Sequence, residues 1–265
     1  MAKFTCNFIS YTLKRAIDIT VVIPSVTFPE SCGDGNIKGV IPKHQKEEKY
    51  PVLYLLHGVG NDHATWNAYT NIELYAEERN IAVVMISGEN KLYVNHGDNA
   101  FMGDMFYDFI EEELPDFIKG MFPVSHRVED TYLAGLSMGA LGTYVHGLGH
   151  PEKYHAIGAF SAGASLPPTE QDRWDPECHP QYLIQKLQEN GVKGMDIFMG
   201  CGDADPLFEG CEKTVEQLRA CGENVTWVPV KGYQHEWRLW DMLVEQFLDW
   251  LPRTDSFSKL GKRKI

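Results

Sequence analysis

The spacing of hydrophobic positions changes along the chain and predicts two kinds of strand. Residues 4–9 and 17–23 alternate apolar and polar side chains at period two, which is typical of strands with one solvated face. A short turn-like segment separates them, so we expect an antiparallel pair at a sheet edge. Further along, six short runs are apolar without alternation, as strands buried on both faces are. These runs are residues 52–56, 81–87, 131–134, 156–160, 196–199 and 225–230.

Segments long enough for helices lie between the six runs, and this order predicts a mostly parallel sheet with helices on both faces. The clearest helix covers residues 236–251, where apolar side chains recur at steps of three and four and Pro252 follows. Residues 101–119 also have a helical period, but Pro115 predicts a kink or break near Leu114.

The length of 265 residues suits one domain with a core large enough to fold without metal or disulfides. We expect a single domain over residues 1–265, ending in a flexible tail over residues 252–265 that is basic from residue 259. Whether identical chains assemble is left open.

The charge balance narrows the classes of partner. A formal net charge of −13 disfavours nucleic acid and anionic lipid surfaces, which repel an acidic protein. The chain has no run of 18 apolar residues, so no membrane association is expected. Residues 1–10 lack the apolar run and cleavage site of a secretory signal, which predicts a cytoplasmic protein but leaves a processed secreted form open.

Patterns that signal metal sites or disulfide frameworks are weak in this sequence. The six cysteines are scattered, and none forms a Cys-x-x-Cys pair. His146 and His150 have the spacing of zinc ligands on a helix, but the segment His-Gly-Leu-Gly-His lacks the glutamate of a zinc hydrolase. We therefore predict neither a metal site nor a cofactor.

The strongest chemical signal is the pattern Gly-x-Ser-x-Gly, which occurs once, at residues 135–139. The pattern follows a predicted buried strand and precedes a segment that can be helical, which is the strand, turn and helix setting of a nucleophile elbow. Glycines are required because side chains at these two positions would collide with the strand and the helix in a strained turn. Ser137 is therefore predicted to be a nucleophile at the top of the sheet.

A serine nucleophile needs a base and an acid, which in this fold class follow it in the order Ser, Asp or Glu, His. His235 comes directly after the predicted strand 225–230, whereas His179 lies in a proline-flanked loop and suits a surface position. The base is predicted to be His235, with a packing role at the start of the last helix as its alternative. Asp203 and Asp205 both follow the strand that ends near residue 199, and either can be the acid.

Ester chemistry also needs hydrogen-bond donors for the oxyanion. The amide of Met138, the residue after the nucleophile, is one predicted donor. The second should lie in the loop after the first buried strand, and we predict the amide of Val59. His57 in the same loop is either an organiser of that loop or a core histidine.

At this point five segments of the chain resemble the putative-esterase family of α/β-hydrolases, in the family's order. They read YPVLYLLHG at residues 50–58, AGLSMG at 134–139, HPEKY at 150–154, CGDAD at 201–205 and GYQHEW at 232–237. The family includes tributyrin-type esterases, to which the chain is most similar, feruloyl esterases and, more distantly, S-formylglutathione hydrolases and mycolyl transferases. The resemblance extends from about Arg15 to Leu251.

The resemblance implies an α/β-hydrolase fold with a small lid or none, and hydrolysis of short acyl or cinnamoyl (acetyl or feruloyl) esters. Carried onto this sequence, the family's catalytic triad is Ser137, Asp205 and His235. Two positions depart from the family pattern: Ala140 replaces a second glycine after the elbow, and Pro206 follows the acid where a phenylalanine is common. The second departure bears on the choice between Asp205 and Asp203.

Substrate specificity is weakly encoded. Trp174, in the segment where such folds insert a cap, and Met102 are predicted to contact substrate, with a simple packing role as the alternative for each. The predicted reaction is serine carboxylesterase hydrolysis of a small-molecule ester through an acyl-enzyme. A thioesterase of the S-formylglutathione hydrolase type or an acyltransferase with the same triad is the alternative. A binding protein without catalysis is disfavoured because every triad position is filled.

Overall fold

A computed structural model describes residues 1–29, 49–97, 103–165, 175–190, 194–263 and 265, without the side chain of Asn190. An eight-stranded sheet forms its centre. In chain order the strands are β1 (Ala2–Ile9), β2 (Ala16–Ile23), β3 (Val52–Leu56), β4 (Ala82–Ile86), β7 (Thr131–Leu136), β8 (Ala156–Phe160), β9 (Asp196–Gly202) and β10 (Asn224–Val230). Two short strands, β5 (Asn95–His96) and β6 (Asp104–Met105), pair separately.

The strand order across the large sheet is β1-β2-β4-β3-β7-β8-β9-β10. β1 pairs with β2 and β2 with β4 in antiparallel fashion, whereas every pairing from β4 to β10 is parallel. The predicted α/β fold, with a mostly parallel sheet and an antiparallel N-terminal edge, is thereby confirmed. Because the parallel strands all end on one side, the loops after β3, β7, β9 and β10 meet at the same edge of the sheet.

Helices cover both faces of this sheet. They are α1 (Thr65–Tyr69), α2 (Ile72–Arg79), α3 (Phe106–Asp108), α4 (Leu114–Met121), α5 (Met138–Gly149), α6 (Pro180–Asn190), α7 (Phe208–Ala220) and α8 (Trp237–Trp250). Apolar side chains of α1, α2 and α8 form one core with one face, and those of α4 to α7 form a second core with the other. None of the helices in the described ranges combines the length and apolar character needed to span a bilayer.

The predicted irregularity near Leu114 takes the form of a π-helix at Phe109–Glu113, between α3 and α4. Pro115 has no N–H to donate to the carbonyl of Glu111, four residues earlier. That carbonyl instead accepts a hydrogen bond from Nζ of Lys153, at 3.2 Å. Helical structure begins at Phe106, later than the predicted residue 101.

Two other expectations need correction. The strand predicted at residues 225–230 forms, but β10 is half-exposed because it lies at the edge of the sheet. The segment after α8, predicted as a flexible tail, packs back on the protein and forms a 3₁₀-helix at Ser256–Leu260. Phe257 is 2% exposed and stacks on Tyr50 with ring centroids 4.8 Å apart, so an apolar anchor holds the segment.

Candidate active site

Ser137 lies in the sharp turn between β7 and α5. Its backbone has φ 52° and ψ −115°, a conformation that residues with a side chain rarely adopt. A Cβ on Gly135 would lie 2.4 Å from the backbone of Gly139, and a Cβ on Gly139 would lie 2.5 Å from the carbonyl oxygen of Leu56. The two glycines of the pattern are therefore required by the close approach of strand and helix, as predicted.

His235 and Asp205 meet this serine at the carboxyl edge of the sheet. Nε2 of His235 is 3.0 Å from Oγ of Ser137, and Nδ1 is 2.9 Å from Oδ2 of Asp205. A carboxylate only accepts hydrogen bonds, so the imidazole carries its proton on Nδ1 and presents the Nε2 lone pair to the serine hydroxyl. The structure thus brings together the three residues predicted as a triad, in a geometry suited to removal of the serine proton.

The carboxylate of Asp205 is 4% exposed. Burial alone would raise the pKa of Asp205, but the hydrogen bonds from His235 and from the amide of Leu207 at 2.9 Å outweigh it and lower the pKa. Asp205 is therefore ionised, and these two donors fix the orientation of its carboxylate.

Asp203, the alternative acid, has a different position. Its Oδ1 accepts a hydrogen bond from the amide of Gly232 at 2.6 Å, and its own amide donates to the carbonyl of Val230. Asp203 thus joins the loop after β9 to the loop after β10, which carries His235. The alternative base, His179, lines a groove between α6 and α7.

The loop after β3 approaches the nucleophile closely. A Cβ on Gly58 would lie 3.3 Å from Cβ of Ser137. The carbonyl of Gly58 accepts a hydrogen bond from Nδ1 of His57 at 2.7 Å, so the trans amide of Val59 in the same peptide points the opposite way. Met138 is the first residue of α5, where amides have no carbonyl one turn earlier to bond.

His57 organises this loop through partners that the sequence pattern does not reveal. Its Nε2 accepts the amide of Gly88 at 2.7 Å, which leaves the proton on Nδ1 for Gly58. Burial lowers the pKa of His57 and favours this neutral form. The hydroxyl of Tyr93 donates to the carbonyl of His57 at 2.9 Å, and the amide of Gly60 donates to Asn90 at 2.7 Å.

The loop that supplies these partners is itself strained, since Glu89, Asn90, Leu92 and Tyr93 all have positive φ. Sequence reasoning missed its role because its contacts with the loop after β3 span about thirty residues. Met102 and Trp174, predicted to contact substrate, lie outside the described residues.

A row of aromatic rings extends away from His235. The ring of Trp240 meets that of His235 edge-on at 4.9 Å, and Trp237 in turn meets Trp240 at 5.2 Å. Tyr69 stacks on Trp237 and is 62% exposed. These rings form one wall beside His235.

Comparison with known proteins identifies relatives over most of the chain. A family model described as "Putative esterase" matches residues 34–251. An acetyl esterase of Caldicellulosiruptor saccharolyticus is 25% identical over 281 residues, which cover 96% of this chain and 99% of the relative. An endo-1,4-beta-xylanase/feruloyl esterase of Xylanibacter ruminicola is 29% identical over 208 residues, covering 76% of this chain and 26% of that longer protein.

Among solved structures, a fluorophosphonate-binding serine hydrolase of Staphylococcus aureus superimposes with a TM-score of 0.78. The two sequences are 23% identical, and the match covers 94% of this chain and 98% of the other. At that identity the similarity concerns the fold.

Proposed function

The chain belongs to the putative esterase family, and from that premise we propose that it is a serine carboxylesterase acting through an acyl-enzyme on Ser137. The observation that carries the proposal is the continuous hydrogen-bonded path from Ser137 Oγ through His235 to Asp205. The protein is a carboxylic ester hydrolase, and its substrates are small-molecule esters.

In the proposed first step, Ser137 Oγ attacks the ester carbonyl while Nε2 of His235 takes the hydroxyl proton. Asp205 stabilises the imidazolium that forms, because its buried carboxylate faces Nδ1. The C–O bond to the alcohol then breaks, and the imidazolium returns its proton to the leaving oxygen. Water, deprotonated by His235, hydrolyses the acyl-enzyme and regenerates Ser137.

The negative charge of the tetrahedral intermediate requires donors on the side opposite the histidine. We assign this role to the amides of Val59 and Met138. Support comes from the peptide orientation that His57 imposes on Gly58 and from the position of Met138 at the start of α5. Losing one such donor typically costs about 3 kcal/mol of transition-state stabilisation.

The proposed substrates are esters of short acyl groups, acetate first, and of cinnamoyl acids such as ferulate. The names of the two relatives, an acetyl esterase and a xylanase/feruloyl esterase, support this choice. The wall formed by the exposed Tyr69 and the half-buried Trp237 supports room for a bulky alcohol, since we propose that the leaving oxygen receives its proton from His235 on that side.

The test is a panel of 4-nitrophenyl acetate and butyrate, methyl ferulate and S-formylglutathione, run on the wild-type protein and on Ser137→Ala. We expect turnover of acetyl or feruloyl ester by the wild type and a loss of several orders of magnitude in a folded Ser137→Ala protein. A phosphonylating reagent should add one group to wild type, localised to Ser137 by mass spectrometry. Near-normal turnover by Ser137→Ala would falsify the proposal.

The same panel addresses the alternative chemistry. Hydrolysis of S-formylglutathione far faster than of any oxygen ester would reassign the protein as a thioesterase with the same triad. Transfer of the acyl group to an added alcohol in preference to water would reassign it as an acyltransferase.

A further inference from the structure

The turn at Val59 and Gly60, in the loop after β3, has little packing to hold its shape. The side chain of Val59 is 64% exposed, and a Cβ added to Gly60 would meet no atom within 4 Å. Gly60 has φ 79°, and glycine can adopt many other backbone conformations about as readily. The direction of the Val59 amide, the proposed oxyanion donor, therefore depends on the hydrogen bonds of the turn.

The peptide that contains the Val59 amide is held through its carbonyl, which belongs to Gly58. This carbonyl accepts hydrogen bonds from Nδ1 of His57 at 2.7 Å and from Nδ2 of Asn61 at 3.2 Å. Both donors belong to the same loop as the peptide that they hold. They fix the peptide within the loop but do not fix the loop against the rest of the protein.

The next peptide, between Val59 and Gly60, is held by a side chain from another loop. Its amide, on Gly60, donates to Oδ1 of Asn90 at 2.7 Å. Its carbonyl, on Val59, accepts from Nδ2 of Asn61 at 3.1 Å. Asn90 lies thirty residues further along the chain, in the loop after β4, so its side chain anchors the turn from outside.

The loop that carries Asn90 provides a firm support for this acceptor. Asn90 has φ 57°, a left-handed conformation that asparagine tolerates better than most residues with a side chain. Close by, the amide of Gly88 donates to Nε2 of His57 at 2.7 Å. A Cβ on Gly88 would lie 2.4 Å from the fully buried ring of Tyr93, so the loop has little room to shift.

We propose that Asn90 is a positioning residue for the oxyanion site, because its side chain fixes the turn that presents the amide of Val59. This inference rests on the proposed function. An oxyanion donor must be aligned before the negative charge develops. A turn that samples other conformations therefore loses transition-state stabilisation while substrate affinity is kept.

The test is Asn90→Gly, with 4-nitrophenyl acetate as substrate. Glycine removes the acceptor and adopts a positive φ without strain, so the substitution should not disturb folding. Loss of one hydrogen bond typically shifts an equilibrium by about two- to tenfold, and we expect kcat to fall about fivefold with KM within about twofold. Asn90→Asp keeps an acceptor oxygen and tolerates the same φ, so kcat should stay within about twofold of the wild type.

Glu89→Gly is the matched control for flexibility. Glu89 precedes Asn90 and also has a positive φ, of 47°, but its carboxylate forms an ion pair with Arg15 at 2.7 Å. The control adds the same backbone freedom to the loop and leaves the bond to Gly60 in place. It should keep kcat within about twofold. An equal loss in Glu89→Gly and Asn90→Gly would attribute the effect to flexibility and would overturn the proposal.

Inhibition by 1,1,1-trifluorobutan-2-one reports on the oxyanion site directly. Ser137 Oγ adds to the ketone carbon, the hydroxyl proton passes to Nε2 of His235, and the ketone oxygen becomes an oxyanion. We expect the inhibition constant to rise about fivefold in Asn90→Gly, in parallel with the loss of kcat, and to be unchanged in Glu89→Gly. An unchanged inhibition constant in Asn90→Gly would overturn the proposal, as would a higher KM with unchanged kcat.

The outcomes also separate this proposal from the proposed function. If wild type hydrolyses the ester and Ser137→Ala does not, a wild-type kcat in Asn90→Gly refutes the positioning role alone. Absence of wild-type turnover refutes the proposed function and the positioning role together.

Discussion

Two regions of the molecule contain a histidine whose Nδ1 faces a buried carboxylate. In the site just described, His235 is 2.9 Å from Asp205. Within α5, the helix that follows Ser137, Nδ1 of His146 is 2.6 Å from Oε1 of Glu111. The two pairs share the same functional groups, but their second ring nitrogens face different partners. Nε2 of His235 faces a hydroxyl, whereas Nε2 of His146 is 2.9 Å from the backbone carbonyl of Tyr93.

This single difference separates the proposed base, His235, from a structural cation. A carbonyl and a carboxylate both only accept, so His146 must donate from both nitrogens and carries a positive charge. Burial would raise the pKa of Glu111, but hydrogen bonds from His146 and Lys153 and the nearby His150 lower it to about 2. His146 and Glu111 therefore form a buried ion pair with no free lone pair on the ring.

The structural pair also serves the other region. The carbonyl that His146 binds belongs to Tyr93, whose hydroxyl holds the backbone of His57 in the loop after β3. The cation in α5 thus fixes the strained loop that orients the proposed oxyanion amides. A histidine next to a carboxylate is accordingly a base only where the second nitrogen meets a proton donor.

Replacement of Asp205 by asparagine should have the largest effect. Asparagine can donate to Nδ1 and so favours the wrong tautomer of His235, and we expect kcat to fall by about 10³- to 10⁴-fold. The measurement is steady-state hydrolysis of 4-nitrophenyl acetate, with circular dichroism to verify folding. A loss of less than about tenfold would remove Asp205 from the triad.

Replacement of Glu111 by glutamine should affect stability instead of rate. It leaves the His146 cation buried without its counterion, which typically costs about 3 kcal/mol, measurable by urea unfolding. At 25 °C the folded fraction should keep kcat/KM within about twofold, because Nε2 of His146 still donates to the carbonyl of Tyr93 and so still holds the loop. Glu152→Gln is the matched control, since this carboxylate also faces a histidine but is 61% exposed and should change stability by less than about 0.5 kcal/mol. Equal effects of the two substitutions would contradict the assignment.

Lowering the pH should remove the stability that Glu111 contributes to the structural pair. The folded pKa of Glu111, about 2, lies below its ordinary value of 4.5, so its contribution to stability is complete above about pH 5 and is lost as the pH falls toward 2. The free energy of unfolding of the wild type, measured by urea titration, should therefore exceed that of Glu111→Gln, and the difference should become smaller as the pH falls through this range. A margin independent of pH would mean that Glu111 does not carry the effect.

The smallest effect is expected for Asp203→Asn. Asparagine keeps an oxygen that can accept from the amide of Gly232, so the link between the loops after β9 and β10 should persist. We expect kcat to fall by no more than about threefold, measured beside Asp205→Asn in the same assay. A loss comparable to that of Asp205→Asn would place Asp203 in the catalytic machinery.

Much of the fold was predictable because it depends on local patterns. Alternation of apolar and polar side chains over most of residues 4–9 and 17–23 identified the antiparallel edge, and unbroken apolar runs identified the buried parallel strands. The edge position of β10 was not predictable, because an apolar run does not reveal whether the strand has a neighbouring strand on each side. Likewise, a basic composition near the C-terminus concealed the burial of Phe257.

The site divides in the same way. The sequence determined the elbow around Ser137, since steric limits within five residues demand its two glycines. It also determined that an aspartate and then a histidine follow Ser137 along the chain. Only the tertiary structure separated Asp205 from Asp203, which lie two residues apart on one loop. It also assigned His57 and His146 their partners. Those partners lie tens of residues away along the chain, and a hydrogen bond depends on the position and direction of both groups, which local sequence does not specify.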